Sequence, residues 1–143
     1  MARSDSLEVA TSLHRAAIRL LRAVRVADDE TGVSAPKLSA LSVLVFGGAT
    51  SLSGLARAEQ VTPATMSKLV GDLEAAGLVA KRADREDKRG VRIEVTAKGR
   101  ALMEEGRKRR LALLHQRLAK LSRDERVLLA EASALMMRVA EDQ

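Results

Sequence analysis

The stretch from Ser53 to Gly99 constrains the fold most, because two short helical patterns separated by a tight turn run directly into a polar, arginine-rich hairpin. The first pattern, Ser53 to Glu59, opens on a serine able to cap free backbone N–H groups and turns Leu55 and Ala56 inward. A break falls at Gln60-Val61-Thr62. Thr62 is placed to cap a second helix, and Pro63 suits its first position, where a missing N–H loses no bond and a fixed φ is already helical. From Pro63 to Ala76, the apolar residues Met66, Leu69, Val70 and Leu73 recur at three- and four-residue spacing and make an inner face. Ala64, Thr65, Ser67 and Lys68 fall on the outer arc, which is small, polar and basic. Gly71 interrupts this helix at a cost of about 1 kcal/mol relative to alanine. Gly77 is the expected left-handed stop. Leu78 to Arg82 then reads as a strand, residues 83–90 as a turn with no apolar residue larger than alanine, and Val91 to Val95 as a return strand of period two.

Between Gly77-Leu78-Val79 and Thr96-Ala97-Lys98-Gly99, the segment Arg82 to Arg89 reads R-x-x-x-x-D-x-R and resembles the wing of the MarR family of transcriptional regulators. The likeness runs by motif from Leu38 to Gly99, and the helical patterns on either side follow the family's order. It implies a single MarR-like domain over residues 1–143, with a winged helix-turn-helix DNA-binding lobe at 36–99 and helical dimerisation regions at 1–30 and 100–143. By the same resemblance, the arginine matching Arg89 enters the minor groove and the aspartate matching Asp87 helps to hold the wing. The candidate DNA-binding residues are Ser53 on the first helix; Thr62, Pro63, Ala64, Thr65, Ser67 and Lys68 on the second; and Lys81, Arg82, Arg85, Asp87, Lys88 and Arg89 on the wing. Thr65 and Ser67 can bond base edges or phosphate, and Lys68 a phosphate or guanine. Taken alone, that helix face reads equally well as a solvated surface, and the wing motif decides for DNA. The competing reading of the wing is a charged tip whose pairs neutralise one another. One departure is Gln60, at a turn position where helix-turn-helix sequences often carry glycine.

The flanks are helical. Leu7 to Val26 carries Ala10, Leu13, Ala17, Leu20, Leu21 and Val24 on one side and Arg15, Arg19, Arg22 and Arg25 on another. Acidic neighbours from Asp5 to Glu30 favour a packed helix with a solvated arginine face over a membrane-surface or transit segment. Asp28 to Ala35 reads as a polar connector. Pro36 to Phe46, apolar almost all round, reads as a buried scaffold helix ended by Gly47-Gly48, and residues 49–52 can add a short third strand. Past the wing, Thr96 caps a long helix to about Lys120 with Leu102, Met103, Leu113, Leu114 and Leu118 apolar. The run Arg107-Lys108-Arg109-Arg110 within it is expected to be solvated. Ser122 to Glu125 forms a capping box that opens a last helix through Ala140. Its apolar residues, from Val127 to Val139, span more than a narrow stripe and imply a partner subunit. A two-fold interface of terminal helices is also what the resemblance implies, with Leu7, Leu13, Leu20, Leu114, Leu118, Leu128, Leu135 and Val139 as candidates. The alternative is an ordinary core helix in a monomer. The expected class is mainly α with a small β wing.

Composition enters through charge and through what is missing. A net charge of +6 and a pI near 10.3 point to an anionic partner, and without a long apolar span nucleic acid outranks membrane. With Phe46 as the single aromatic residue, base stacking is unavailable, which argues against single-strand and sequence-specific RNA modes. The lack of cysteine excludes disulfides, thiolate metal sites and cysteine-based peroxide sensing. His14 and His115 lie on different expected helices without ligand spacing, and no nucleophile with its base or phosphate-binding glycine loop is present. Neither an enzyme, a cofactor nor a metal site is expected. The opening Met1 to Ser6 has no apolar signal core, so a cytoplasmic location is expected. The expected function is a homodimeric, sequence-specific regulator of double-stranded DNA on a pseudo-palindromic operator, similar to MarR repressors. A small non-covalent effector is expected in an aliphatic, methionine-lined cleft between the DNA-binding lobe and the dimer base. The runner-up is a winged-helix protein-interaction or architectural module without specific DNA readout.

Overall fold

The computed structural model describes residues 5–87 and 90–141. The elements run α1 Ser6–Arg25, a 3-10 helix Val26–Thr31, α2 Ala35–Gly47, β1 Thr50–Ser51, α3 Leu52–Ala58, α4 Pro63–Ala75, β2 Val79–Ala83, β3 Val91–Val95, α5 Ala97–Leu118 and α6 Arg123–Glu141. The strands form one antiparallel sheet in the order β1-β3-β2. Thr50 pairs with Ile93 and Ser51 with Arg92, while β2 and β3 pair from Val79–Val95 to Ala83–Val91. The period of two buries Val79 and Ile93 on one face and sends Arg82, Arg92 and Glu94 to the other.

One apolar cluster joins α2, α3, α4 and the sheet. Leu41 and Leu44, Leu55 and Ala56, Met66, Val70 and Leu73, and Leu78, Val79 and Ile93 are all buried in it, and Leu69, Leu102 and Met103 pack along its edge. Because Leu102 and Met103 belong to α5, the long helix is anchored in the winged-helix core before it leaves it. The anchorage is reinforced at the end of α4. Leu78 N–H donates to the Leu73 carbonyl (2.9 Å) and Gly77 N–H to that of Glu74 (2.9 Å), with Gly77 left-handed at φ 75°. The carbonyls that remain free there receive the Thr96 hydroxyl at Gly77 (2.6 Å) and the Lys98 ammonium at Ala76 (2.8 Å), while Thr96 Oγ1 also accepts from Gly99 N–H (3.1 Å) to cap α5. Gly99 is required by the closeness of this junction: a Cβ there would lie 2.2 Å from the Leu78 carbonyl oxygen.

Three expectations are corrected. Phe46 is 81% exposed, although α2 as a whole was expected to be buried. It follows Leu44 by two residues, roughly 200° further round the helix, and so points away from the core stripe of Ala40, Leu41 and Leu44. The connector before α2 contains the 3-10 helix, closed by the Thr31 hydroxyl donating to the Asp28 carbonyl (2.7 Å) and by Gly32 at φ 68°. The basic run of α5 is only partly solvated. Arg110 Nη1 donates to Asp28 Oδ1 at 2.5 Å, and Arg109 Nε lies 3.6 Å from Glu30 Oε2, so the 3-10 helix is pinned onto α5. The terminal helices differ from all of this, since neither α1 nor α6 has a buried residue. Helix α6 opens on a reciprocal capping box, with Glu125 N–H on Ser122 Oγ (3.2 Å) and Ser122 N–H on Glu125 Oε2 (2.7 Å).

Two glycines in this frame should respond oppositely to alanine. Nothing lies within 4 Å of a Cβ built on Gly71, so Gly71→Ala should stabilise by about 1 kcal/mol through helix propensity. Gly99→Ala should destabilise by about 1–3 kcal/mol, the range for overpacking. Urea denaturation of both variants checks the two signs.

Candidate nucleic-acid interface

Helices α3 and α4 form the helix-turn-helix. The cap of α3 is Ser51 rather than Ser53: its Oγ accepts from Gly54 N–H at 3.0 Å, and Ser53, one residue into the helix, stays exposed and lies 3.2 Å from it, hydroxyl to hydroxyl. The turn closes by the same device that ends α4. Val61 N–H donates to the Ala56 carbonyl (3.0 Å) and Gln60 N–H to that of Arg57 (3.2 Å), and Gln60 takes the left-handed position at φ 56° that a glycine would fill without strain. Thr62 then caps α4, accepting from Thr65 N–H (3.1 Å) and donating to the Thr65 hydroxyl (2.9 Å). This pair sets the rotamer of a residue on the outer arc.

Burial sorts α4 as its periodicity indicated. Met66, Val70 and Leu73 are buried, while Pro63, Ala64, Thr65, Ser67 and Lys68 are exposed side by side beyond Thr62. Of the wing candidates, Lys81, Arg82, Arg85 and Asp87 are exposed, and Lys88 and Arg89 lie outside the described residues. The wing cations fall into two sets. Lys81 Nζ is 3.7 Å from Glu74, Arg82 Nε is hydrogen-bonded to Glu94, and Arg92 Nη1 is 3.7 Å from Asp84. Arg85 on the wing, like Lys68 on α4, forms no ion pair with any other described residue. Glu74, Asp84, Arg92 and Glu94 were not singled out in the sequence. The signals that could have found them are the aspartate opening a turn and the period of two that places Arg92 and Glu94 on one strand face.

Two further concavities are framed by helices. A groove of about 770 Å³ between α1 and α6 is lined by Val9, Leu13, Ala132, Leu135, Met136 and Val139, with Arg138 and Glu141 at its edge. A cleft of about 420 Å³ lies among α1, the 3-10 helix, α2 and α5. Leu21, Val33, Leu38 and Met103 give it the expected aliphatic wall, but Arg25, Asp28, Asp29 and Arg110 line it too, so it is not purely apolar. Among the described residues no group of His, Asp or Glu could hold a metal ion, and no helix is long and apolar enough to cross a membrane.

A capped helix with a small polar face, held beside an antiparallel hairpin by a shared core, defines a winged helix-turn-helix protein. Residues 31–90 match the MarR family model. An HTH-type transcriptional regulator of Mycobacterium bovis is 34% identical over 94% of this chain and 94% of its own length. Among solved structures, a transcriptional regulator protein from Pseudomonas aeruginosa is 28% identical with a TM-score of 0.81, covering 99% of this chain and 100% of that one. The protein BpsR of Bordetella bronchiseptica, whose DNA binding is regulated by 6-hydroxynicotinic acid, is 25% identical with a TM-score of 0.64, covering 100% and 99%. The chain belongs to the MarR family of DNA-binding transcriptional regulators, and its relatives are regulators rather than enzymes.

Alanine at Thr65 or Ser67 should change base preference in a selection from random duplexes, whereas alanine at Lys68 should weaken all sequences alike and reduce the salt slope by about 0.9 if its contact is to phosphate. Three variants indistinguishable from wild type would mean that another element reads the DNA.

Proposed function

We propose that the protein is a homodimeric repressor that binds a pseudo-palindromic operator in double-stranded DNA and is released by a small ligand. The observation that carries the reading is the presentation of α4, whose inner face is locked in the core while Ala64, Thr65, Ser67 and Lys68 stand exposed on its outer arc. In this reading the α4 helices of two chains enter successive major grooves about 34 Å apart. The wing carries Arg85 and, by the family motif, Arg89 toward the flanking minor groove, where negative potential favours a guanidinium. Residues 36–99 act as the DNA-binding lobe. The boundary at residue 99 is one of function, since Leu102 and Met103 share the winged-helix core.

The dimer follows from uncovered apolar surface. Leu7 is 71% exposed, Leu128 65%, Leu135 56% and Val139 68%, on helices with no buried residue of their own. Leu13, Leu114 and Leu118 are half-buried and Leu20 is exposed, so these side chains too have area left for a partner. A second copy related by a two-fold axis covers such area with the same helices, which is how most soluble oligomers are built. The cleft of about 420 Å³ between the lobes falls within the range of small-molecule sites. Its aliphatic side chains suit a compact apolar body, and Arg25 and Arg110 beside Asp28 and Asp29 give it a polar edge of mixed charge.

Sedimentation should find two chains at micromolar concentration. Leu128→Glu together with Leu135→Glu should yield monomers that keep their helical content, because both side chains are exposed in the single chain and a charge is costly only once an interface buries it. A wild-type monomer that binds a palindromic duplex tightly would contradict the dimer. On the wing, Arg89→Ala should cost on the order of 1–3 kcal/mol in operator binding. Asp87→Ala should also weaken binding although it makes the protein more basic; tighter binding with unchanged sequence preference would reduce the wing to a diffuse charge.

A further inference from the structure

We propose that Arg92 is a positioning residue that sets the wing against the helix-turn-helix by bridging the two, and that it does not itself contact DNA; this rests on the reading that the wing engages the duplex. Two arms of its guanidinium are in use. Nη1 lies 3.7 Å from Asp84 Oδ2, and Nη2 donates to the Ala49 carbonyl at 2.6 Å. Asp84 is where the wing turn closes. Its N–H donates to the Gly90 carbonyl (2.9 Å), its Oδ1 accepts from Glu86 N–H (3.0 Å), and Gly90 N–H donates to the Asp87 carbonyl (2.9 Å). Ala49 stands two residues before Ser51, the cap of α3. The relay Asp84–Arg92–Ala49 therefore joins the turn of the wing to the backbone that enters the DNA-reading unit.

The ladder explains why Arg92 leans this way. Its direct partner across the hairpin is Arg82, and like charges placed opposite each other repel. Arg82 turns to its diagonal neighbour Glu94 and Arg92 to its own, Asp84. Val79 and Ile93 in the core, Lys81 beside Glu74 and the two residues of β1 hold the base of the hairpin, whereas the turn beyond Ala83 is tied back to the body through the Arg92 bridge. The pair is partly exposed, at 47% for Arg92 and 23% for Asp84, and such pairs add little to global stability. What it supplies is geometry. A forked guanidinium can reach two acceptors that a lysine's single ammonium cannot hold together.

The test uses the full-length protein and a labelled duplex selected by the wild type from a random-sequence library. Titrations at several salt concentrations, thermal unfolding and hydroxyl-radical footprints are compared for Arg92→Ala and Arg92→Lys. Both variants should bind at least tenfold more weakly, with an unchanged slope of log affinity against log salt and near-wild-type unfolding. Protection of the flanking minor groove should fade while protection beneath the reading helix persists. Wild-type affinity in Arg92→Ala would overturn the proposal. So would a loss that Arg92→Lys restores and that carries a slope lower by about 0.9 per contact, the mark of a phosphate-bound cation. An Arg92→Ala chain unable to fold would count against it as well, since an exposed positioning residue leaves the fold standing. Failure of the underlying reading is visible separately, as a wild-type footprint that lacks flanking minor-groove protection.

Discussion

Burial of the inner face of α4 governs what the outer face can present. Met66, Val70 and Leu73 are at most 1% exposed, packed among Leu41, Leu44, Leu55 and Ile93. Turning the helix by one residue would bring Ser67 inward and Met66 out. That would lose a buried side chain worth about 2–5 kcal/mol and strand a hydroxyl without a partner. The rotation of α4, and with it the direction of Thr65, Ser67 and Lys68, follows from packing rather than from those polar residues themselves. Both ends of the helix are held as firmly, by Thr62 at the start and by Gly77, Thr96 and Lys98 at the finish.

The helical base of the molecule obeys a different logic. Helices α1 and α6 have no fully buried residue within the chain, and much of their apolar surface stays uncovered. Helix α5 connects the two regimes, with Gly99 buried under the wing at one end and Leu118 half-buried beside the base at the other. The cleft lies along this helix, and its walls include Leu38 and Ser42 of α2 as well as Met103 and Arg110 of α5. A ligand there would touch both the scaffold behind the reading helix and the helix that leads to the terminal helices. The Asp28–Arg110 pair sits in the same wall, so an anion in the cleft would compete for Arg110.

Much of the fold was legible because local signals agreed. Thr62-Pro63, Gly77, Thr96 and the Ser122–Glu125 box each mark a helix end by satisfying backbone groups, and each performs that task in the structure. What escaped was set by neighbours distant in sequence. Ser51 and Ser53 are equivalent as caps on paper, and only the pairing of Thr50 and Ser51 with β3 places the first of them at the helix start. The run Arg107 to Arg110 looked uniformly solvated because its partners Asp28 and Glu30 lie some eighty residues away. Arg92 could not be singled out either, because its acceptor, the Ala49 carbonyl, lies on the chain before β1, 43 residues away. Phe46 shows the reverse error, since an apolar residue in an apolar helix was counted as core although its angular position excluded it.

Incubating the purified protein with sheared genomic DNA at physiological salt, then sequencing what is retained, tests the central claim most directly. A dimer that reads two major grooves should enrich a few sites sharing a pseudo-palindrome whose half-sites are about one helical turn apart. Recovery of fragments without a common sequence, or no retention at that salt, would contradict a specific DNA-binding regulator.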